Sequence, residues 1–371
     1  MVQPGRGESR PTLSFDVQIA HTVAKVGEEA WDRLSAGRPF ASYRWYRFGE
    51  KAMAYALPCY AILSRHGEPV ARATFWLTPR ELMPVKPRLI RWFVESLIRR
   101  WPLLVCQSPL TSSAATSGLI LPEPPLREQA LATLAQIGRD LAAQYRTSFC
   151  LFGYLEEEQA RSSAWPPGYV PSLMWGSGTR LEIEWGDFDG YLAHLSKKRR
   201  YNLRRNRRLG EEQGIEIKCH PVVTDVEGAM ALHHKVNARH SGPTEPWMRG
   251  AFQHAAMVDA VWLTAEVEGR MVGCELMLGD QDVWLVTGLG LDYTIDYAYF
   301  LLGYADIECA IEKKARVLRW GSLTYDVKRR LGFELESNDW VVFGGRGALL
   351  QRLGRWLAER EESRYGVASE D

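Results

Sequence analysis

The stretch VWLTAEVEGRMVGCELMLGDQDVWLVTGLG, Val261 to Gly290, decides the fold. It reads as three consecutive antiparallel strands, rich in β-branched and aromatic residues, turning near Gly269 and at Gly279-Asp280. An earlier run, CYAILSRHGEPVARATFWLTP from Cys59, reads as two apolar strands joined around His66-Gly67-Glu68. The segments SRHGEPVA (Ser64 to Ala71) and EVEGRMVG (Glu266 to Gly273) share one layout: apolar strand, turn glycine, two residues, then Val and a small residue. They lie about 200 residues apart, the spacing expected of a duplicated α+β domain.

Helical segments surround these hairpins. Pro125 to Tyr145 carries apolar residues at helical spacing. DFDGYLAHLSKKRRYNLRRNRRLGEEQG reads as one long helix, with Asp187 or Asp189 capping its start and Gly214 in the position that ends it. YAYFLLGYADIECAIEKKA reads as a further helix, VLRWGS as a strand and FELESNDWVVFG as another. The Pro- and Gly-containing run from Ser162 to Gly178 reads as the crossing between halves. Length points to two domains. The expected division is a disordered stretch 1–13, a first domain 14–175, a second domain 176–345, and a C-terminal helix and tail 346–371.

The chain has 371 residues, is 46% hydrophobic and carries a formal charge of +1, which argues against binding nucleic acid over a whole domain. Any basic function is local. The local feature is HLSKKRRYNLRRNRRLGEEQGIEI, His194 to Ile217, with eight Lys or Arg between Lys197 and Arg208. Positions 200, 204, 207 and 208 share one helical face. Like charges that close repel, and Glu211 and Glu212 come too late to offset most of them. Recognition of phosphate or carboxylate by Arg forks is the natural use, with a solvated face as the plainer alternative.

Six cysteines are scattered singly without metal-ligand spacing, and read as buried thiols of a reduced, cytoplasmic chain. No segment is apolar for long enough to span a membrane, and no secretory signal opens the sequence. Arg88 to Val105 is basic and amphipathic, so peripheral membrane contact is a minor reading beside packing on its own domain. His233, His234 and His240 read as surface or interdomain residues, not metal ligands. There is no GxSxG, P-loop or HExxH motif.

Three pieces in order carry a family resemblance: YLAHLSKKRRYNLRRNRRLGEEQGI, the hairpin sheet from Val261, and LRWGSLTYDVKRRLGFEL, Leu318 to Leu335. Together they resemble the FemAB-like and BioF2-like branch of the GNAT acyltransferase superfamily. The resemblance implies tandem GNAT-like α+β domains, each a mostly antiparallel sheet, splayed to admit an acyl donor. It also implies transfer of an acyl or aminoacyl group to an amine, without metal. The donor would be a thioester, acyl-coenzyme A or a carrier protein; the alternative is an aminoacyl-tRNA in cell-wall or natural-product synthesis. A third reading is a non-catalytic scaffold binding a membrane edge or a partner. One departure bears on coenzyme A. No Gly-rich pyrophosphate loop follows the strand VWLVTGLG, and Gly288 and Gly290 replace it only in part.

The candidate site residues follow. Tyr325 is a proton donor to the leaving group, and Glu275 an acceptor of the amine proton, although strand alternation turns Glu275 to solvent on the plainer reading. Lys198, Arg200, Arg204, Arg207 and Lys328 are the phosphate-side residues. Asp292 and Tyr293 line the expected entrance.

Overall fold

In a computed structural model the structure is described for residues 15–79, 100, 102–110, 116–147, 149–173, 177–240, 245–322, 324–345 and 352. The expected disordered N-terminus, most of the amphipathic stretch 88–105 and nearly all of the C-terminal helix and tail lie outside them. Within that stretch, Leu103 to Val105 belong to a strand.

The first sheet contains β1 (Asp16–Ala20), β2 (Leu57–Arg65), β3 (Glu68–Thr78), β4 (Leu103–Cys106), β5 (Leu119–Ile120), β6 (Phe149–Leu155) and β7 (Tyr169–Leu173). The second contains β8 (Thr179–Glu182), β9 (Glu216–His220), β10 (Asp259–Val267), β11 (Arg270–Asp280), β12 (Val283–Leu291), β13 (Val317–Arg319) and β14 (Glu334–Leu335). A last strand, β15 (Trp340–Gly345), returns to the first sheet. The strand orders are β1-β2-β3-β4-β6-β15-β7 and β9-β10-β11-β12-β13-β8-β14. Four antiparallel strands lead in each case to a parallel pair, β4 with β6 and β12 with β13, and then to antiparallel neighbours.

The duplication read from the hairpins extends to their detail. β2 and β10 have nine residues each, β3 and β11 eleven. Both turns place two residues at positive φ, His66-Gly67 and Glu268-Gly269, the conformation that lets a two-residue loop follow the strand twist. Both hairpins carry a register shift at the same place, Leu63/Ser64 and Ala265/Glu266.

The α-helices of six or more described residues are α1 (Glu28–Ser35), α2 (Tyr43–Ala52), α3 (Arg127–Gln144), α4 (Phe188–His194), α5 (Lys197–Glu212), α6 (Val226–Arg239), α7 (Met248–His254), α8 (Ala298–Glu312) and α9 (Tyr325–Arg330). Among the described residues no helix is long and apolar enough to cross a membrane. The expected single helix over 187–214 is two, α4 and α5, because Ser196 sits in extended conformation and its side chain accepts the Arg199 N–H. Asp187 caps α4, and Gly214, at φ 71, follows the end of α5.

Three corrections concern the seam between halves. The run from Ser162 is not a bare linker: Tyr169–Leu173 forms the edge strand β7. The segment read as one strand, FELESNDWVVFG, splits. Glu334–Leu335 pairs with β8 in the second sheet, and Trp340–Gly345 inserts between β6 and β7 in the first. The expected domain 176–345 therefore loses its last strand to the other half, where Trp340 and Val342 close the first core. One apolar cluster also joins the halves, with Trp31, Trp45 and Trp76 from the first and Trp247, Phe252 and Trp262 from the second. Asp280, at the end of β11, accepts the Ala41 and Ser42 N–H groups and the Ser42 hydroxyl, so a carboxylate of one half caps helix α2 of the other.

Candidate active site

The site grows from β11 and β12. Their register shifts between Cys274 and Leu276, with the extra residue on β12 at Gly288–Leu289, opposite Glu275. Gly288 has φ 67, and a Cβ there would lie 2.6 Å from Phe252, so only glycine fits this bulge. The Leu289 carbonyl accepts from His233 Nδ1 at 2.9 Å, while His233 Nε2 lies 2.8 Å from the Glu245 carboxylate. A carbonyl only accepts, so Nδ1 carries a proton. His233 is buried, which corrects the surface reading of that histidine.

Beyond the bulge the sheet opens. β12 pairs with β13 only over Val283–Leu285, and the Trp320 N–H turns away to the Thr179 carbonyl. Among the described residues Val286–Leu291 has β11 on one side and no strand on the other. This is the splay expected from the resemblance. Trp320 fills its base against Gly303 of α8 and packs on Tyr299 and Phe333.

Glu275 faces this base and is 1% exposed, so the solvent reading is corrected. Its neighbour is Asp306 of α8, fully buried, a carboxylate that the sequence motifs do not single out. Trp320 Nε1–H donates to Glu275 Oε1 at 3.4 Å. Glu275 Oε2 and both Asp306 oxygens meet no N–H or hydroxyl donor among the described residues. The two carboxyl groups lie beside each other, and each shifts the other's titration. Burial pushes Glu275 up to about 7, against the Asp306 carboxyl, the Trp320 N–H and the Lys328 charge. Burial, and then the Glu275 charge, push Asp306 well above the usual carboxylate range. Two carboxyls in a dry site titrate as a coupled pair, each held protonated above the usual carboxylate range.

Lys328 is also buried. Its ammonium donates to the carbonyls of Trp320, Gly321 (2.9 Å) and Ser322 (3.1 Å). Burial pulls its pKa down to about 7, with Glu275 opposing. Three carbonyl acceptors match three N–H donors, which favours the charged form. Lys328 therefore clamps the loop after β13 and does not reach out to a phosphate as expected. Tyr325 lines a shallow depression with Thr324, Asp326, Val327 and Arg329, and its hydroxyl donates to the Ser177 carbonyl at 2.9 Å.

The basic helix divides by face. Arg200 donates to the Leu192, Ala193 and Leu195 carbonyls, closing the C-terminus of α4. Arg207 pairs with Glu308 of α8 at 2.8 Å and lies over Phe188. Both are engaged within the fold, which corrects their assignment as free anion ligands. Lys197, Lys198, Arg204 and Arg205 are exposed, and none forms an ion pair among the described residues.

The loop from β12 to α8 carries Asp292. Thr294, through its hydroxyl and N–H, and then Lys235 hold this carboxyl down at about 2. Arg270 also lies 3.3 Å away. Tyr293 bonds to His240 at 3.2 Å. Among the described residues no group of three or more His, Cys, Asp or Glu has the arrangement to hold a metal.

A family model for FemAB-like proteins, described as peptidoglycan biosynthesis/recognition, matches residues 22–363. No curated protein matches the chain in sequence. Solved structures share the fold. FemX aligns with a TM-score of 0.57 at 10% identity, over 88% of this chain and 96% of that one. A tandem GNAT protein from the clavulanic acid biosynthesis pathway aligns with a TM-score of 0.53 at 13% identity, over 90% and 99%. The C-terminal domain of a putative lysylphosphatidylglycerol synthetase from Agrobacterium fabrum aligns with a TM-score of 0.51 at 10% identity, over 90% and 95%. With two GNAT-like sheets and a family match over nearly its whole length, the chain belongs to the FemAB-like family.

Proposed function

We propose that this protein transfers an aminoacyl group from an RNA ester to the amine of a cell-wall precursor, inside the cytoplasm. The carrying observation is the loop that opens α8. A coenzyme A pyrophosphate needs free N–H groups there, and this loop presents the ionised Asp292 and a bulky Tyr297 at the helix start. An acyl-coenzyme A donor is disfavoured by the lack of a Gly-rich run at this loop, whose carboxylate is itself paired with Lys235 and Arg270. The exposed cations Lys197, Lys198, Arg204 and Arg205 instead suit a polyanion.

In this reaction the acceptor amine attacks the ester carbonyl in the splay. A C–N bond forms, the ester C–O bond breaks, and the amine proton ends on the leaving hydroxyl. Glu275, poised near neutrality, suits the proton traffic, and the bulge on β12 suits polarisation of the carbonyl. The test compares charged tRNA with acetyl-coenzyme A as donors to a UDP-linked muropeptide. Transfer from tRNA alone is expected, and Glu275→Gln should lower kcat by about 10²–10⁴. Lys198→Gln with Arg204→Gln should weaken RNA binding and reduce its salt slope by about 1 per lost phosphate contact. RNA-independent transfer from acetyl-coenzyme A would overturn the reading.

A further inference from the structure

Cys219 of β9 and Cys309 of α8 are both free thiols. Strand pairing places Cys219 opposite Leu263, and Leu263 opposite Glu275, so the three form one row across the sheet. Leu263 packs in the cluster that α8 covers, and Cys309 belongs to that same cluster. Helix α8 covers this face of the sheet, with Asp306 beside Glu275 and, three residues on, Cys309 beside Cys219. The two thiols lie close enough that Cys219 adds to the effect of burial in raising the Cys309 thiol. Cys219 is exposed, on the edge strand. The remaining cysteines, Cys59, Cys106, Cys150 and Cys274, are all buried.

We propose that Cys219 and Cys309 form a dithiol–disulfide modification site, oxidised by peroxide. The Cys219 thiolate attacks the peroxide O–O bond, giving a sulfenic acid and water. The Cys309 thiol gives up its proton as its sulfur attacks the Cys219 sulfur, forming the S–S bond, and that proton leaves with the sulfenic hydroxyl as a second water. Two thiols are oxidised and one peroxide is reduced. Burial holds the Cys309 thiol in its protonated form, so its neighbour is the one that meets the oxidant. Nearness of the two sulfurs raises the effective concentration for the second step. The bond would fasten α8, and with it Asp306, to the edge of the sheet.

The experiment treats the full reduced chain with hydrogen peroxide, alkylates remaining thiols in denaturant, and maps the digest by mass. The expected product links the Cys219 and Cys309 peptides with loss of two hydrogens, leaves Cys106 and Cys150 alkylated, and reverts with dithiothreitol. Cys219→Ser, a surface change that leaves the core intact, should keep Cys309 fully alkylatable after the same treatment. Recovery of Cys219 as sulfinic acid with Cys309 still alkylated would overturn the proposal. So would Cys219 cross-links between two chains.

Discussion

The two halves use the same hairpin for different ends. Position six of the eleven-residue strand is Ala73 in β3 and Glu275 in β11, and each lies opposite position five of its partner, Ala61 and Leu263. Both sites are sealed from water. In the first half the sealed space holds apolar groups, with α3 laid over Phe75 through Gly138. In the second half it holds two carboxyls, an indole and an ammonium. A common scaffold has thus kept its packing in one copy and taken on titratable groups in the other. The cost of burying charge is met here in part by protonation of the carboxyls and by the carbonyls around Lys328.

The sharpest way to break the comparison is to place the second half's residue in the first. Ala73→Glu buries a carboxyl with no Asp306, Trp320 or Lys328 beside it, and is expected to cost on the order of 4 kcal/mol or to abolish soluble expression. Urea unfolding measures it. A variant as stable as the parent would show that the two sites do not differ in what they can hold.

The next test removes the charge where it belongs. The folded pKa of Glu275, about 7, lies above its ordinary 4.5, so the folded state binds more protons in that window. Stability therefore falls as pH rises from 4.5 to about 7. Lys328 has the opposite sign: its folded pKa of about 7 lies below 10.5, so stability rises again from neutral toward alkaline pH. Glu275→Gln should lose the part of the acidic-side decline that Glu275 contributes and keep that of buried Asp306, so the stability difference from the parent shifts by on the order of 3 kcal/mol across that window. Parallel stability curves for the two proteins would remove the buried pair as their cause.

The smallest effect is expected at the seam. Asp280→Ala leaves the Ala41 and Ser42 N–H groups and the Ser42 hydroxyl without their acceptor, at a cost of about 2 kcal/mol. Hydrogen exchange at the start of α2 should rise more than in the α3 amides. Equal acceleration in both helices would contradict a local clamp.

Much of this was legible beforehand because the signals are local. Turn glycines at Gly67 and Gly269, strand alternation and the caps at Asp187 and Gly214 depend on nearby residues alone. The site was legible only in part. Glu275 stood out as a carboxylate among apolar neighbours, but its direction depended on which face α8 covers. Asp306, inside the helix pattern YADIECAIE, gives a signal only as a charge within an apolar helix. Arg200 and Arg207 looked free because their acceptors, the α4 carbonyls and Glu308, come from a helix break and from a residue about a hundred positions away.

The sequence by itself determined the repeated hairpin, most of the strands and helices, and the local concentration of positive charge, since each rests on periodicity, turn chemistry or composition. Only the tertiary structure decided that β15 leaves its own half, that Glu275 meets Asp306 in a dry splay, and which cations of α5 remain exposed. Those outcomes come from long-range packing, where burial of apolar surface and pairing of buried polar groups choose among arrangements that local preference leaves equal.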